Sequence, residues 1–288
     1  NLGVKLCDVL NIPTKNQVTN LSEWKKFVAK SKSAKEEINI AVVGKYFDSG
    51  DFVLSDVYIS VLEAIKYSAY SLGKKPKIHC INSKDFEKGT LKIDILKKYD
   101  GILVPGGFGE AGIEGLIKTI EYARTHNIPY FGLCYGMQLM IIEYARNVLG
   151  WKDANTTEIN PKSSHLVIDI MLDQKKKLEE KNYGNSMRLG NYEASLKKDT
   201  VAREAYGKEK IIERHRHRYE VNPKYIEEIE KAGLVFSGTS PDGKLMEIAE
   251  LPKEKHPFFL GTQFHPEFLA RPLSPHPLFT EFLKATIR

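Results

Sequence analysis

Residues 128–150 read IPYFGLCYGMQLMIIEYARNVLG, and they hold one whole unit of the fold. The first six are apolar, aromatic or small with no charged interruption, the composition of a strand buried on both faces. From Gly136 onward apolar residues recur at helical spacing until Gly150, where a glycine closes the helix. A buried strand that passes directly into a helix leaves one residue, Cys134, on the turn. Gly132 and Gly136 flank it without side chains, so the backbone can bend sharply and push the thiol out at the strand's end. The helix N-terminus at that point favours a thiolate, the reactive form. Taken alone, Cys134 also reads as an inert buried cysteine, and only a partner base decides between the two.

Outward from this unit, strand and helix patterns alternate. INIAVVG (38–44), KIHCI (77–81) and DGILVPGG (100–107) read as strands, and 55–73 and 113–127 as helices. The second half carries strand patterns at 165–172, 211–217, 234–240, 244–251 and 258–264, with a helix at 222–233. This order predicts a three-layer α/β fold, a mainly parallel sheet flanked by helices, with ligands beyond the carboxyl ends of the strands. Residues 1–37 read as a linker or terminal remnant with one amphipathic stretch, LSEWKKFV (21–28), and residues 38–288 as the domain. The chain starts at Asn1 rather than Met, so the expectation is a piece of a longer polypeptide. DQKKKLEEKNYGNS (173–186) reads as a solvated surface insertion.

The base is offered by QFHPE (263–267), which follows the apolar strand FFLGT. It places His265 at another strand end, and Pro266 breaks the ladder so that Glu267 can fold back onto the imidazole. Nucleophile, base and orienting carboxylate form the logic of a catalytic triad. PGGFG (105–109) follows a third strand, where the N–H of Gly107 can join that of Tyr135 as an oxyanion donor. The competing phosphate-loop reading lacks the GxxxxGK[ST] or GxGxxG spacing. In RHRHR (214–218), His215 and His217 share a face as two metal ligands would. No third ligand of clear spacing accompanies them, so no metal is expected, and the arginine face is expected to meet carboxylates.

Composition sets the outer limits. The 288 residues are 42% hydrophobic and 28% charged, the profile of a globular protein. The net charge of +6 is spread among 37 acids instead of forming a stripe, which argues against nucleic acid. Cys7, Cys80 and Cys134 form no CxxC pair, which argues for neither a zinc ribbon nor a disulfide scaffold and fits a reducing cytoplasm. No apolar run is long enough for a membrane span.

PGGFG, GLCYGMQ and QFHPEF, in that order, resemble class I glutamine amidotransferases, whose core is flavodoxin-like. DANTTEINP (153–161), GNSMRLG (184–190) and ERHRHRYEVNP (213–223) extend the resemblance to the CTP synthase family, over nearly the whole region from about Asn39 to the C-terminus. The resemblance implies glutamine hydrolysis by Cys134, His265 and Glu267, with glutamine contacts at Gly107, Phe108, Gln138, Glu158 and Arg218. Glu158 would meet the substrate ammonium and Arg218 its carboxylate. It further implies an N-terminal synthetase domain that uses ATP and Mg to aminate UTP, GTP as an effector, a homotetramer of the full-length protein, and no cofactor in this domain. Two departures stand out: Tyr135 where the family usually has Leu, and Glu110-Ala111-Gly112 where it commonly has an arginine after GGFG, which weakens the carry-over of effector contacts. GNSMRLG resembles GGTMRLG, a family loop associated with coupling to the synthetase. The residues also leave open a module that binds glutamine silently, and a γ-glutamyl peptide hydrolase.

Overall fold

The computed structural model describes residues 2–13, 21–47, 55–170 and 187–287. The strands are β1 Glu37–Gly44, β2 Lys75–Asn82, β3 Gly101–Val104, β4 Tyr130–Leu133, β5 Asn155–Thr156, β6 Leu166–Ile170, β7 Arg188–Leu196, β8 Lys210–His217, β9 Tyr219–Val221, β10 Val235–Thr239, β11 Met246–Leu251 and β12 Phe259–Thr262. The helices are α1 Leu2–Val9, α2 Ser22–Ser33, α3 Ile59–Ser71, α4 Ser83–Lys88, α5 Ile113–Thr125, α6 Tyr135–Asn147, α7 Val201–Tyr206, α8 Ile226–Lys231 and α9 Pro277–Thr286.

Among the described residues, nine strands form one sheet in the order β2-β1-β3-β4-β12-β11-β10-β7-β8. The first five pair in parallel, with the strand order of a flavodoxin-like core. From β12 outward the pairings are antiparallel. The expected three-layer α/β fold is therefore present, extended by an antiparallel wing. A second, three-stranded sheet joins β5, β6 and β9.

Strand alternation divides the core between the two faces. Ala41 and Val43 of β1 point to the side of α5 and α6, where Ile117, Ile120, Met137 and Ile141 pack. Ile40 and Val42 point to the side of α3 and α9. There Phe131 stands between Phe258, Phe279 and Phe282, with ring centroids 5.8, 5.1 and 5.8 Å away. Truncating such a ring to Ala costs about 3–5 kcal/mol. Gly101 and Gly261 permit this density: a Cβ on either would stand within 2.8 Å of α9 or α6 side chains.

Helix α2 continues through Ser33, past the amphipathic stretch 21–28, and lays Phe27 against Tyr67 and Tyr70 of α3. Helix α1 buries none of its residues. The surface insertion expected at 173–186 lies outside the described residues. In GNSMRLG, Arg188–Gly190 opens β7 and is strand rather than loop, because it pairs with Arg216 and its neighbours on β8.

Parallel pairing aligns the carboxyl ends of β1, β3, β4 and β12 along one edge of the sheet. Lys45, Gly106, Cys134 and His265 all follow those ends within three residues.

Candidate functional site

Cys134 has φ 50° and ψ −96°, a backbone conformation that costs a non-glycine residue about 1–3 kcal/mol. The turn is held by its neighbours. A Cβ on Gly132 would stand 2.8 Å from the Gly136 carbonyl carbon, and one on Gly136 would stand 2.3 Å from the Val104 oxygen. The Cys134 N–H donates to the Thr262 carbonyl at 2.6 Å, tying the elbow to the end of β12. Its Sγ receives the Gln263 side-chain amide at 3.7 Å and lies 4.0 Å from the Arg216 carbonyl.

His265 is fixed from three directions. Its N–H donates to the Arg214 carbonyl of β8 at 2.8 Å, and its ring stacks on Phe268 with centroids 4.9 Å apart. Nδ1 donates to Glu267 Oε1 at 2.7 Å. Pro266 starts a single 3₁₀ turn that brings Glu267 back beneath the ring. Burial opposes the imidazolium, but the neighbouring Glu267 carboxylate and the Cys134 sulfur outweigh it and hold this imidazole well above the usual histidine range. Cys134 and Glu267 thus flank one imidazole, the arrangement of a nucleophile, its base and an orienting carboxylate.

Against the same ring lies the loop after β3. A Cβ on Gly106 would meet His265 Cε1 at 2.8 Å, so only glycine lets the imidazole reach the elbow. No described residue accepts from the backbone N–H of Gly107 or Tyr135. A cavity of about 200 Å³ opens over these groups, lined by Gly106, Gly107, Phe108, Cys134, His265 and Glu267, together with Arg216.

Of the residues assigned by resemblance to glutamine binding, Gln138, Glu158 and Arg218 are not among those that line this cavity. Phe108 and Gly107 line it. Gln138 is buried, and its amide donates to the Tyr219 carbonyl at 3.1 Å and to Gln263 Oε1 at 3.2 Å. Glu158 Oε1 accepts from the Gly109 N–H at 2.9 Å, while Oε2 is buried without a partner among the described residues. The Tyr219 phenol is pushed up by burial and by Glu158 and pulled down by Arg218, so it stands near both charges. Sequence reasoning gives Gln263 and Lys45 no role at the site, and Arg216 only a place on the arginine face of RHRHR. For Gln263 the signal was present: the period of two that selects His265 places Gln263 on the same side.

The expectation for RHRHR is half corrected. Arg214 and Arg216 point outward and His215 and His217 inward, as alternation requires, but the carboxylates gather on the histidine side. His217 Nδ1 lies 3.4 Å from Glu220, His215 Nε2 3.6 Å from Glu247, and Arg188 Nη1 2.7 Å from Glu247. The reason is tertiary: β7 sets Arg188 directly opposite His217, and Arg188 then draws the acids to that face. Burial, with Arg188 beside them, lowers the His215 and His217 pKa values to about 2 and about 3. Burial raises Glu247 to about 7, with Arg188 opposing. Among the described residues, no group of histidines, cysteines and carboxylates is arranged to hold a metal, and no helix is long and apolar enough to cross a membrane.

The sequence profile of the family described as "Glutamine amidotransferase class-I" matches residues 53–285. The chain belongs to the class I glutamine amidotransferases. Within this family it is 46% identical over 282 residues to a CTP synthase of Lactobacillus johnsonii, covering 98% of this chain and 50% of that protein. A CTP synthase of Archaeoglobus fulgidus is 49% identical over 266 residues, covering 92% of this chain and 48% of that protein. The chain thus spans about half the length of the curated relatives it matches. Among solved structures, the Trypanosoma brucei CTPS glutaminase domain with bound acivicin superposes with a TM-score of 0.77 at 36% identity, covering 86% of this amidotransferase and 93% of that chain.

Proposed function

We propose that this chain hydrolyses L-glutamine to glutamate and ammonia, and that it is the glutaminase portion of a CTP synthase. The Cys134 thiolate attacks the carboxamide carbon, and the negative charge that develops on oxygen is met by the N–H groups of Gly107 and Tyr135. As the C–N bond breaks, His265 gives its proton to the leaving ammonia. A water, deprotonated by His265, then attacks the thioester, the C–S bond breaks, and glutamate leaves with the thiolate restored. Glu267 keeps the imidazole in the tautomer this requires. Glu158 Oε2 receives the substrate ammonium, Arg218 the α-carboxylate, and Gln138 and Phe108 frame the side chain.

The observation that carries this reading is the meeting of Cys134, His265 and Glu267 against Gly106, with the His265 Nδ1 to Glu267 contact at 2.7 Å. The name of the relatives, CTP synthase, supports a whole-protein role: the ammonia would aminate UTP to CTP at an N-terminal synthetase domain that uses ATP and Mg, making the full-length protein a ligase of pyrimidine nucleotide biosynthesis. GTP would act as effector and the full-length protein as a homotetramer in the cytoplasm. No cofactor is assigned to this domain. Residues 1–37 would connect the two units. Incubation with glutamine tests the reading: glutamate release that disappears in Cys134→Ala supports it. Covalent labelling of Cys134 by a glutamine-mimicking electrophile without turnover counts against it, as does a preference for γ-glutamyl peptides.

A further inference from the structure

The loop carrying Gly107 is held at the two residues that follow it, Phe108 and Gly109, by side chains outside the triad. The Gly109 carbonyl accepts from the Tyr135 hydroxyl at 2.8 Å and also from Lys45 Nζ. The Gly109 N–H donates to Glu158 at 2.9 Å. One residue earlier, the Phe108 N–H donates to the Tyr46 hydroxyl at 2.8 Å, and that hydroxyl donates in turn to the Phe108 carbonyl at 3.0 Å. Gly107 itself rests on the same three side chains: a Cβ there would lie 3.3 Å from Lys45, 3.5 Å from Tyr135 and 3.6 Å from Tyr46. Lys45 is 5% exposed, with Nζ 5.1 Å from the Tyr135 ring centroid.

Keeping an ammonium this deep is costly. Burial pulls its pKa down to about 8, with Glu158 opposing the fall. A cost of this kind is retained where the group fixes something that matters. What Lys45 and Tyr135 fix is the loop that lines the cavity beside the thiol.

We infer that Lys45 and the Tyr135 hydroxyl are positioning residues for acyl transfer, which lock the Gly109 peptide so that the Gly107 N–H is aimed at the developing oxyanion. Tyr135 then acts twice, its own N–H as one oxyanion donor and its side chain as the support of the other. Neither side chain touches the reacting atoms. The inference rests on the glutaminase reading of the site.

The test compares Tyr135→Phe and Lys45→Met with the unaltered 288-residue chain. Removal of one oxyanion donor outright slows an enzyme by about 100- to 1,000-fold, so a donor that is merely misaimed is expected to cost about 10-fold in kcat for glutamine. Alkylation of Cys134 by iodoacetamide displaces iodide and builds no oxyanion, so its rate is expected to stay within about twofold. Amide hydrogen exchange over residues 107–109 is expected to quicken about 10-fold or more in both variants, and Lys45→Arg to restore part of the lost kcat. Unchanged kcat in active protein, unchanged exchange, or a fall in alkylation parallel to kcat would each overturn the brace. If the unaltered chain is alkylated yet turns over no glutamine, the glutaminase reading fails instead, and the exchange comparison still decides whether the brace exists.

Discussion

The His265 ring occupies the space that a side chain on Gly106 would need: a Cβ there would stand 2.8 Å from Cε1 and 3.7 Å from the Cβ of Cys134. Gly106→Ala is therefore expected to tilt the imidazole away from the thiol. A misplacement on the order of 1 Å costs about 100-fold in rate, so glutaminase kcat should fall by about that factor. The unfolding midpoint should fall much less. Steady-state kinetics together with a urea titration measure both, and full activity in the alanine variant would remove the steric argument.

Gly136 shows the opposite balance. Its missing Cβ faces the Val104 carbonyl at 2.3 Å, a backbone atom that cannot rotate away. Gly136→Ala is expected to destabilise the fold by about 3 kcal/mol, the upper range for overpacking. The urea midpoint should drop at unchanged m.

Gln263 links the nucleophile to the interior, donating to Cys134 Sγ and accepting from Gln138. Gln263→Leu removes a donor to the reacting sulfur and should slow iodoacetamide alkylation of Cys134 about 10-fold at pH 7, since in the proposed mechanism the sulfur reacts as a thiolate and hydrogen bonds to ionised groups are about twice as strong as neutral ones. Stopped-time alkylation followed by mass spectrometry reads this directly. An unchanged rate would show that Gln263 serves packing alone.

The histidine cluster sets a pH dependence whose sign can be worked out. His215 and His217 are held at about 2 and about 3 in the native state, against 6.5 when exposed. Between those limits the unfolded chain binds two more protons. Glu247 is held at about 7, against 4.5 when exposed, so between 4.5 and 7 the native state binds one more. From pH 6.5 down to 4.5 unfolding thus takes up about one net proton, and this cluster's contribution to stability falls by about 1.4 kcal/mol per pH unit at full effect. Below 4.5 the carboxyl no longer offsets the histidines and the slope steepens. Urea unfolding at pH 5.0 and 6.5 measures the difference, and His217→Asn should flatten it.

The parallel half of the sheet was legible because β3, β4 and β12 are short runs without a charge and β1 holds the apolar run Ile40–Val43, which point to strands covered on both faces. β7 was not recognised, since RLGNYEASL alternates weakly and its outer face meets water. α4 and α7, of six residues each, are too short to show a helical period. At the site, Cys134, His265 and Glu267 could be read because each sits in its own local motif. Lys45 and Gln138 owe their surroundings to partners 64 and 81 residues away in sequence, a relation that no local spacing encodes.

The bond from the His265 N–H to the Arg214 carbonyl joins the base to the antiparallel wing, whereas Cys134 belongs to the parallel core. His265 itself follows β12 of that same core, so this bond ties the base to the wing from across the sheet. The Arg216 carbonyl of the same strand lies 4.0 Å from Cys134 Sγ, so β8 borders base and nucleophile alike and couples the wing to both.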